Sequence, residues 1–128
     1  MNKSRKLLEQ ALELAGNGEL DLALQKLGEG IRSAKEDDDR HWLFLLHKNA
    51  GVLHEQAGQL TMAKESYELA LPYNKSDTYL LYALGDICRR LGENALATKY
   101  FESCYTVATD THDSDLLATL SKSGYGPK

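Results

Sequence analysis

Small residues recur in this 128-residue chain at a fixed interval of 34 positions. The pairs separated by that interval are Gly51 and Gly85, Gly58 and Gly92, and Ala63 and Ala97. A third copy lies upstream, where Gly18 precedes Ala23 by the same five residues that separate Gly58 from Ala63. An internal repeat of this length is typical of chains built from stacked supersecondary units, each of which buries its apolar face against the next.

The repeated unit has the sequence character of a helical hairpin. Proline occurs only at positions 72 and 127, and apolar residues are spaced three and four apart, as they are along one face of a helix. Gly18, Gly58 and Gly92 fall where a helix ends in a left-handed residue, a conformation that glycine adopts without a Cβ clash. We expect first helices at about 3–16, 40–57 and 77–91, and second helices at about 20–35, 60–72 and 94–108.

An acidic run, Glu36-Asp37-Asp38-Asp39, separates the first two repeats. The turn glycines on either side of it are 40 residues apart rather than 34, so the surplus residues fall here. Acidic side chains stabilise the N-terminus of a helix, so Asp38 or Asp39 is expected to cap the next helix, as Asp77 is for the helix after it. A calcium-binding loop is disfavoured, because such a loop alternates its ligands and contains a glycine.

The C-terminal residues predict a capping helix on the last repeat. Residues 114–122 contain leucines at a helical spacing, and a short helix there would cover the apolar surface of the third hairpin. Residues 123–128 are expected to form a flexible tail, on which Tyr125 is a candidate to fill the chain's own binding surface. One domain is therefore expected over residues 1–122.

Small and large residues occupy matching slots in the three copies. The small residues are Ala11, Gly18, Ala23 and Gly30, then Gly51, Gly58, Ala63 and Ala70, then Gly85, Gly92 and Ala97 with Cys104 in the last slot; the large ones are Leu27, Tyr67 and Phe101. In this pattern the chain resembles the tetratricopeptide repeat family. The resemblance implies an all-α, right-handed solenoid of three helical-hairpin repeats at about 4–37, 42–76 and 77–110, followed by a capping helix at about 114–122. It also implies a protein-protein interaction module without a cofactor.

The charge distribution and the cysteines narrow the class of protein. Lysine and arginine total 15 against 19 aspartate and glutamate residues, without a basic cluster, so a nucleic-acid partner is not expected. Charged residues interrupt the apolar runs, so we expect neither membrane attachment nor a secretory signal, and we expect a cytoplasmic protein. Cys88 and Cys104 lie inside helical patterns and are predicted to be reduced thiols packed in the core.

Two histidines are candidates for a metal site. His47 and His54 are seven residues apart on one helix face, whereas zinc-peptidase helices place two histidines four apart around a glutamate. The repeat register puts both at slots for packed side chains, so packing is favoured over metal binding. The sequence lacks a nucleophile elbow and a phosphate-binding glycine-rich loop, so we expect neither an enzyme nor a catalytic, cofactor or metal site.

The first helix of each hairpin is expected to line the concave side of the stack. Residues left there for a partner recur at a helical spacing of three and four. They are Leu8 and Leu12 in the first repeat, Leu45, Lys48, Asn49 and Val52 in the second, and Tyr79, Tyr82, Asp86 and Arg89 in the third. This apolar, tyrosine-rich groove favours an adaptor that binds a peptide or helix of a protein partner. Self-assembly into a homo-oligomer and a small chaperone for a secreted substrate are the alternatives.

Family members that bind the C-terminal carboxylate of a peptide use lysine, asparagine and arginine side chains. The resemblance places Leu8, Leu12, Asn49, Tyr79 and Ala83 at those positions, and of these Asn49 alone matches. Binding of a chaperone tail by such a carboxylate clamp is therefore not expected.

Overall fold

The computed structural model describes residues 2–125, and the regular structure among them is helical. It divides into two compact units, the first ending at Asn74 and the second beginning at Lys75. The first unit contains α1 (Lys3–Gly16), α2 (Leu20–Glu36), α3 (Arg40–Gln56), α4 (Leu60–Ala70) and a 3₁₀ turn at Leu71–Tyr73. The second contains α5 (Thr78–Arg90), α6 (Asn94–Asp110) and α7 (Ser114–Lys122). The predicted all-α class, the hairpin helices and the capping helix are confirmed.

A glycine with a left-handed backbone follows each first helix, two residues after the helix ends. At Gly58 φ is +75°, which allows the amide of Gln59 to donate to the carbonyl of His54 at 2.8 Å. This bond satisfies a carbonyl that the helix end would otherwise leave unpaired. Gly18 and Gly92 have φ values of +83° and +82°. The predicted hairpin turns are therefore confirmed at all three glycines.

The two helices of a hairpin approach closely where the first presents a residue without a side chain. In the second hairpin the ring of Tyr67 lies against Gly51, where an added β-carbon would meet ring atoms at 2.5 Å. Tyr67 is fully buried, and its hydroxyl donates to Oε1 of Glu55 at 2.7 Å. In the third hairpin Phe101 takes the same place against Gly85, and the corresponding distance is 2.9 Å. A glycine facing an aromatic ring is therefore the packing contact that these two hairpins share.

Two aspartates of the acidic run have different structural roles. Asp38 ends α2 with a left-handed backbone, at a φ of +50°. Asp39 caps α3, because its side chain accepts a hydrogen bond from the amide of Trp42 at 3.2 Å. Asp77 caps α5 in the same way by accepting from the amide of Leu80 at 3.0 Å. The two caps are as predicted, and of the two candidates in the acidic run Asp39 is the one that caps.

The second hairpin leaves the α-helical pattern earlier than its sequence predicts. The helix α4 stops at Ala70 and continues as a 3₁₀ turn through Pro72, where α-helix is expected to residue 72. Proline has no amide hydrogen and its ring collides with the carbonyl four residues before it, which breaks the α-helical pattern. The turn packs Tyr73 against the core of the first unit, with the guanidinium of Arg40 5.0 Å from the ring centre.

The second unit is one hairpin with a short helix packed on it. The helices α5 and α6 pack together, and α6 contacts α7. Cys88 and Cys104 are both fully buried, so the predicted burial of the thiols is confirmed. His112, left-handed at a φ of +57°, ends α6, and Asp113 caps α7 by accepting from the amide of Leu116 at 3.1 Å.

Candidate functional site

Leu8 and Leu12 lie on α1, in the first unit. Leu8 is partly buried against the core that α1, α2 and α3 form, whereas Leu12, one turn later, is 47% exposed. Single exposed leucines are common on protein surfaces, so Leu12 alone identifies no site. Of the two residues, Leu12 has the more exposed side chain.

The four predicted residues of α3 are all partly buried. Leu45 and Val52 are the apolar members of the set. Asn49 donates from Nδ2 to the carbonyl of Leu45 at 2.7 Å, so part of its hydrogen-bonding capacity is used within its own helix. The ammonium of Lys48 lies 5.4 Å from the ring centre of Phe44, a cation–π distance. Asn49 and Lys48 therefore each contact another residue of α3.

The predicted residues of the second unit lie on α5. Tyr79 is 51% exposed, and Tyr82 is partly buried with its ring edge-on to Phe101 at a centroid distance of 5.3 Å. Arg89 donates from Nη2 to Oδ1 of Asp86 at 2.6 Å, and its guanidinium carbon lies 5.9 Å from the centre of the Phe101 ring. The helix α5 thus presents tyrosine rings and a cation together, a combination that suits protein recognition.

Tyr125 lies beside the same aromatic residues. Its ring stacks on Phe101 with the centroids 4.5 Å apart and the planes 29° from parallel. Its amide donates to the carbonyl of Leu120 at 3.0 Å, after a left-handed Gly124 at a φ of +90°. The predicted tail begins two residues earlier, and its residues 126–128 lie outside the described part of the chain. Tyr125 is therefore packed in the structure on a residue that Tyr82 also contacts.

The histidines occupy two different environments. His47 is 7% exposed in the first unit, and burial, followed by the positive charge of Lys35, lowers its pKa from the usual value. His54 is partly buried, and its Nδ1 lies 2.9 Å from Oε1 of Gln59, a hydrogen-bond distance. The packed position predicted for His47 is confirmed, whereas His54 forms a hydrogen bond near the surface.

Neither a cluster of metal-ligand side chains nor a membrane-spanning helix occurs among the described residues. Among residues 2–125 no group of three or more His, Cys, Asp and Glu side chains is placed to hold a metal ion. Within that part of the chain, no helix has both the length and the apolar character needed to cross a bilayer.

Three exposed apolar side chains on the second helices do not belong to the predicted set. Leu22 and Met62 are each 47% exposed, and Leu69 is 56% exposed. Leu22 and Met62 both lie four residues after the turn glycine of their hairpin. This equivalent position in two repeats is the sequence signal from which both residues could have been included in the candidate set. Leu69 lies two helical turns beyond Met62, where it lines a surface hollow of about 380 Å³ with Glu65 and Glu68.

Comparison with known protein families gives a match that covers most of the second and third hairpins. A family model described as the tetratricopeptide repeat matches residues 49–77 and 78–111. The chain belongs to the tetratricopeptide repeat family. The first hairpin lies outside the matched residues, but it has the same helix order and the same left-handed turn glycine as the matched repeats.

Solved tetratricopeptide (TPR) domains share this fold. The first TPR of Spaghetti (RPAP3), bound to the HSP90 peptide SRMEEVD, is 18% identical with a TM-score of 0.72, over 94% of this chain and 92% of that one. The Sgt2 TPR domain from Aspergillus fumigatus is 16% identical with a TM-score of 0.71, over 100% of this chain and 87% of that one. At these identities the similarity establishes the fold alone.

A curated protein is similar to part of the chain in sequence. Cellulose synthase operon protein C of Komagataeibacter xylinus is 33% identical over 81 residues, which is 62% of this chain. The chain spans 6% of the length of that protein. The similarity therefore concerns a small part of a far longer protein.

Proposed function

We propose that the chain is a non-enzymatic cytosolic adaptor that binds an extended or helical segment of another protein through the first helices of its hairpins. The main contacts are Leu45, Tyr79 and Tyr82, with Lys48, Asn49 and Arg89 orienting the segment. The observation that best supports this proposal is the exposure of Tyr79 at 51%. The aromatic rings that pack the hairpins, Tyr67 and Phe101, are 0% and 1% exposed, so Tyr79 is far more accessible to a partner than they are.

The α5 surface fits a partner segment with apolar or aromatic side chains. A tyrosine offers a large contact area with a polar tip, which is why recognition surfaces favour it. Arg89 is 52% exposed at its side chain, and a guanidinium has more donors than its bond to Asp86 uses. Those donors suit the carbonyl oxygens of a bound segment. Affinity is expected to be modest, because ordering a flexible segment offsets part of the contact energy.

Known tetratricopeptide domains support peptide binding, but the surface of this chain has a different chemistry. The Spaghetti domain was solved with the peptide SRMEEVD. Of the five positions that the family resemblance equates with a carboxylate clamp, Asn49 alone matches, and the other four hold the uncharged residues Leu8, Leu12, Tyr79 and Ala83. We therefore propose a segment recognised through apolar and aromatic contacts instead of through a terminal carboxylate.

Partner capture with a double variant, Tyr79→Ala with Tyr82→Ala, tests this function. We expect the protein captured from a lysate of the native host to be lost, while circular dichroism shows unchanged helicity. The matched control is Leu22→Ala with Met62→Ala. It removes two apolar side chains from the second helices, each of which is 47% exposed. This control is expected to capture as the wild type does. Undiminished capture by the tyrosine double variant would contradict the proposal.

Self-assembly is the alternative for the same apolar surfaces. In that case a second copy of the chain, and not a different protein, covers Tyr79. Size exclusion with light scattering distinguishes the two. A monomer throughout the micromolar range would exclude self-assembly, and a dimer that Tyr79→Ala dissociates would favour it over the adaptor.

A further inference from the structure

We infer that Phe101, Tyr82 and Arg89 form an aromatic subsite that Tyr125 occupies in the free chain and that takes an aromatic side chain of a bound protein segment. The inference rests on the proposed function, because it specifies a chemical requirement of the partner. All four residues belong to the second unit, so the subsite is complete within one compact body.

Phe101 has a ring whose two faces are covered by different parts of the chain. One face lies against Gly85, where an added β-carbon would be 2.9 Å from three ring atoms. The other is covered by Tyr125, stacked at a centroid distance of 4.5 Å. Phe101 is consequently only 1% exposed. Gly85 belongs to the hairpin, whereas Tyr125 follows the last helix, so the second face is covered by a segment outside the hairpin.

The third repeat differs from the second in the residues around this ring. In the second repeat, Tyr67 donates its hydroxyl to the carboxylate of Glu55 at 2.7 Å. The same two slots in the third repeat hold Phe101 and Arg89, so the hydroxyl is gone and a cation lies 5.9 Å from the ring centre. Tyr82 adds a ring edge at 5.3 Å. The ring of Phe101 is thus contacted by a cation, by an aromatic edge and by the stacked phenol of Tyr125, and each of these contacts is favourable for an aromatic ring.

Of the two stacked rings, Tyr125 is the one that an aromatic side chain of a bound segment can replace. It is partly exposed, and its backbone is held by the turn at Gly124 through the bond from its amide to Leu120. Phe101, by contrast, is fixed inside α6 against α5. Release of Tyr125 therefore opens one face of Phe101 and leaves the α5–α6 hairpin folded.

Occupation by Tyr125 competes with a partner for the same ring face. A site that is open in only a fraction of the molecules binds with an apparent affinity reduced by that fraction. Tyr125→Ser empties the subsite without changing any residue of the proposed binding surface. The variant is therefore expected to bind an aromatic segment more tightly than the wild type does.

A displayed library of random peptides is the probe for this competition. Peptides are selected on the Tyr125→Ser variant of the full chain, synthesised, and measured against the variant and the wild type by fluorescence anisotropy. We expect the selected peptides to share an aromatic residue, and to bind the wild type about 3- to 10-fold more weakly than the variant. Tyr73→Ser, which removes a partly buried tyrosine from the first unit, is the matched control and should bind as the wild type does.

Equal affinity of the wild type and Tyr125→Ser for the selected peptides would overturn the subsite and leave the proposed function intact. Failure of the proposed function has a different signature, namely undiminished partner capture by the variant lacking both Tyr79 and Tyr82. A second measurement needs no peptide. Stacking on Phe101 shifts the ring-proton resonances of Tyr125 upfield in the full chain, and resonances at the positions of an unstructured tyrosine would overturn the subsite.

Discussion

The ring of Tyr67 lies so close to Gly51 that a β-carbon added at Gly51 would come within 2.5 Å of it. Tyr67 is fully buried, so its ring has little freedom to move aside. The Gly51→Ala variant should therefore lose about 2–3 kcal/mol in its free energy of unfolding, since overpacking forces α3 and α4 apart. Urea denaturation followed by circular dichroism measures the loss.

A matched glycine on α2 serves as the control for this substitution. Gly28 is helical and has open space around its α-carbon. The Gly28→Ala variant should gain about 0.5–1 kcal/mol, because alanine loses less conformational entropy in a helix than glycine does. If Gly51→Ala were as stable as Gly28→Ala, the close contact between ring and backbone would be disproved.

The hairpin turn at the end of α1 offers a second matched pair. Gly18 has a φ of +83° and Gly16 is helical, and both have open space where a β-carbon would lie. We expect Gly18→Ala to lose about 1–2 kcal/mol in its free energy of unfolding, because an L-residue resists the left-handed conformation. Gly16→Ala should be neutral or stabilising in the same urea titration. Equal effects at the two positions would show that backbone conformation is not what requires glycine at the turn.

Protonation of His47 is expected to weaken the fold. Burial, followed by the charge of Lys35, lowers the pKa of His47 below 6.5. Between the lowered pKa and 6.5 the unfolded chain binds more protons than the folded one, so this contribution to stability is present above pH 6.5 and is lost as the pH falls. Urea midpoints measured from about pH 7.5 down to about pH 5 should therefore fall less in His47→Gln than in the wild type. Parallel pH profiles would contradict a buried neutral His47.

Cys104 is expected to be an unreactive thiol in the folded protein. Burial, and after it the negative charge of Asp113, raises the pKa of Cys104 to about 11. Because the thiolate is the nucleophile, iodoacetamide at about pH 8 should label Cys104 slowly in the native protein and rapidly in urea. Stability should also fall as the pH rises from about 9 toward 11, since the unfolded chain releases this proton first. Peptide mass spectrometry follows Cys104 separately from Cys88, and rapid native labelling of Cys104 would contradict its burial.

The helix boundaries could be predicted because they depend on residues close to them in sequence. Gly58 ends α3 by its left-handed backbone, and Asp39 and Asp77 begin α3 and α5 by accepting from amides three residues later. Each of these effects acts within one helical turn, so it can be predicted from the residues next to the helix end. The 3₁₀ turn at Pro72 is also caused by a local residue, but the spacing of apolar residues alone predicts that α-helix continues through it.

The candidate site could be predicted less completely, because exposure depends on neighbours that are distant in sequence. Helical spacing places Leu8 and Leu12 on one face, yet Leu8 packs partly into the core and Leu12 is 47% exposed. The stack of Tyr125 on Phe101 joins residues 24 positions apart, across α7. No periodicity encodes that contact, so it became visible only in three dimensions.

Site-specific photo-crosslinking tests partner binding by the first helices most directly. A benzoylphenylalanine probe replaces Tyr79 on α5 in one sample and Leu69 on α4 in another, two side chains that are 51% and 56% exposed. The probes are then similarly accessible but lie on a first and a second helix. We predict that irradiation in the native host gives an adduct with a different protein from position 79 and little from position 69. No adduct from position 79, or an equal yield from both positions, would contradict partner binding by the first helices.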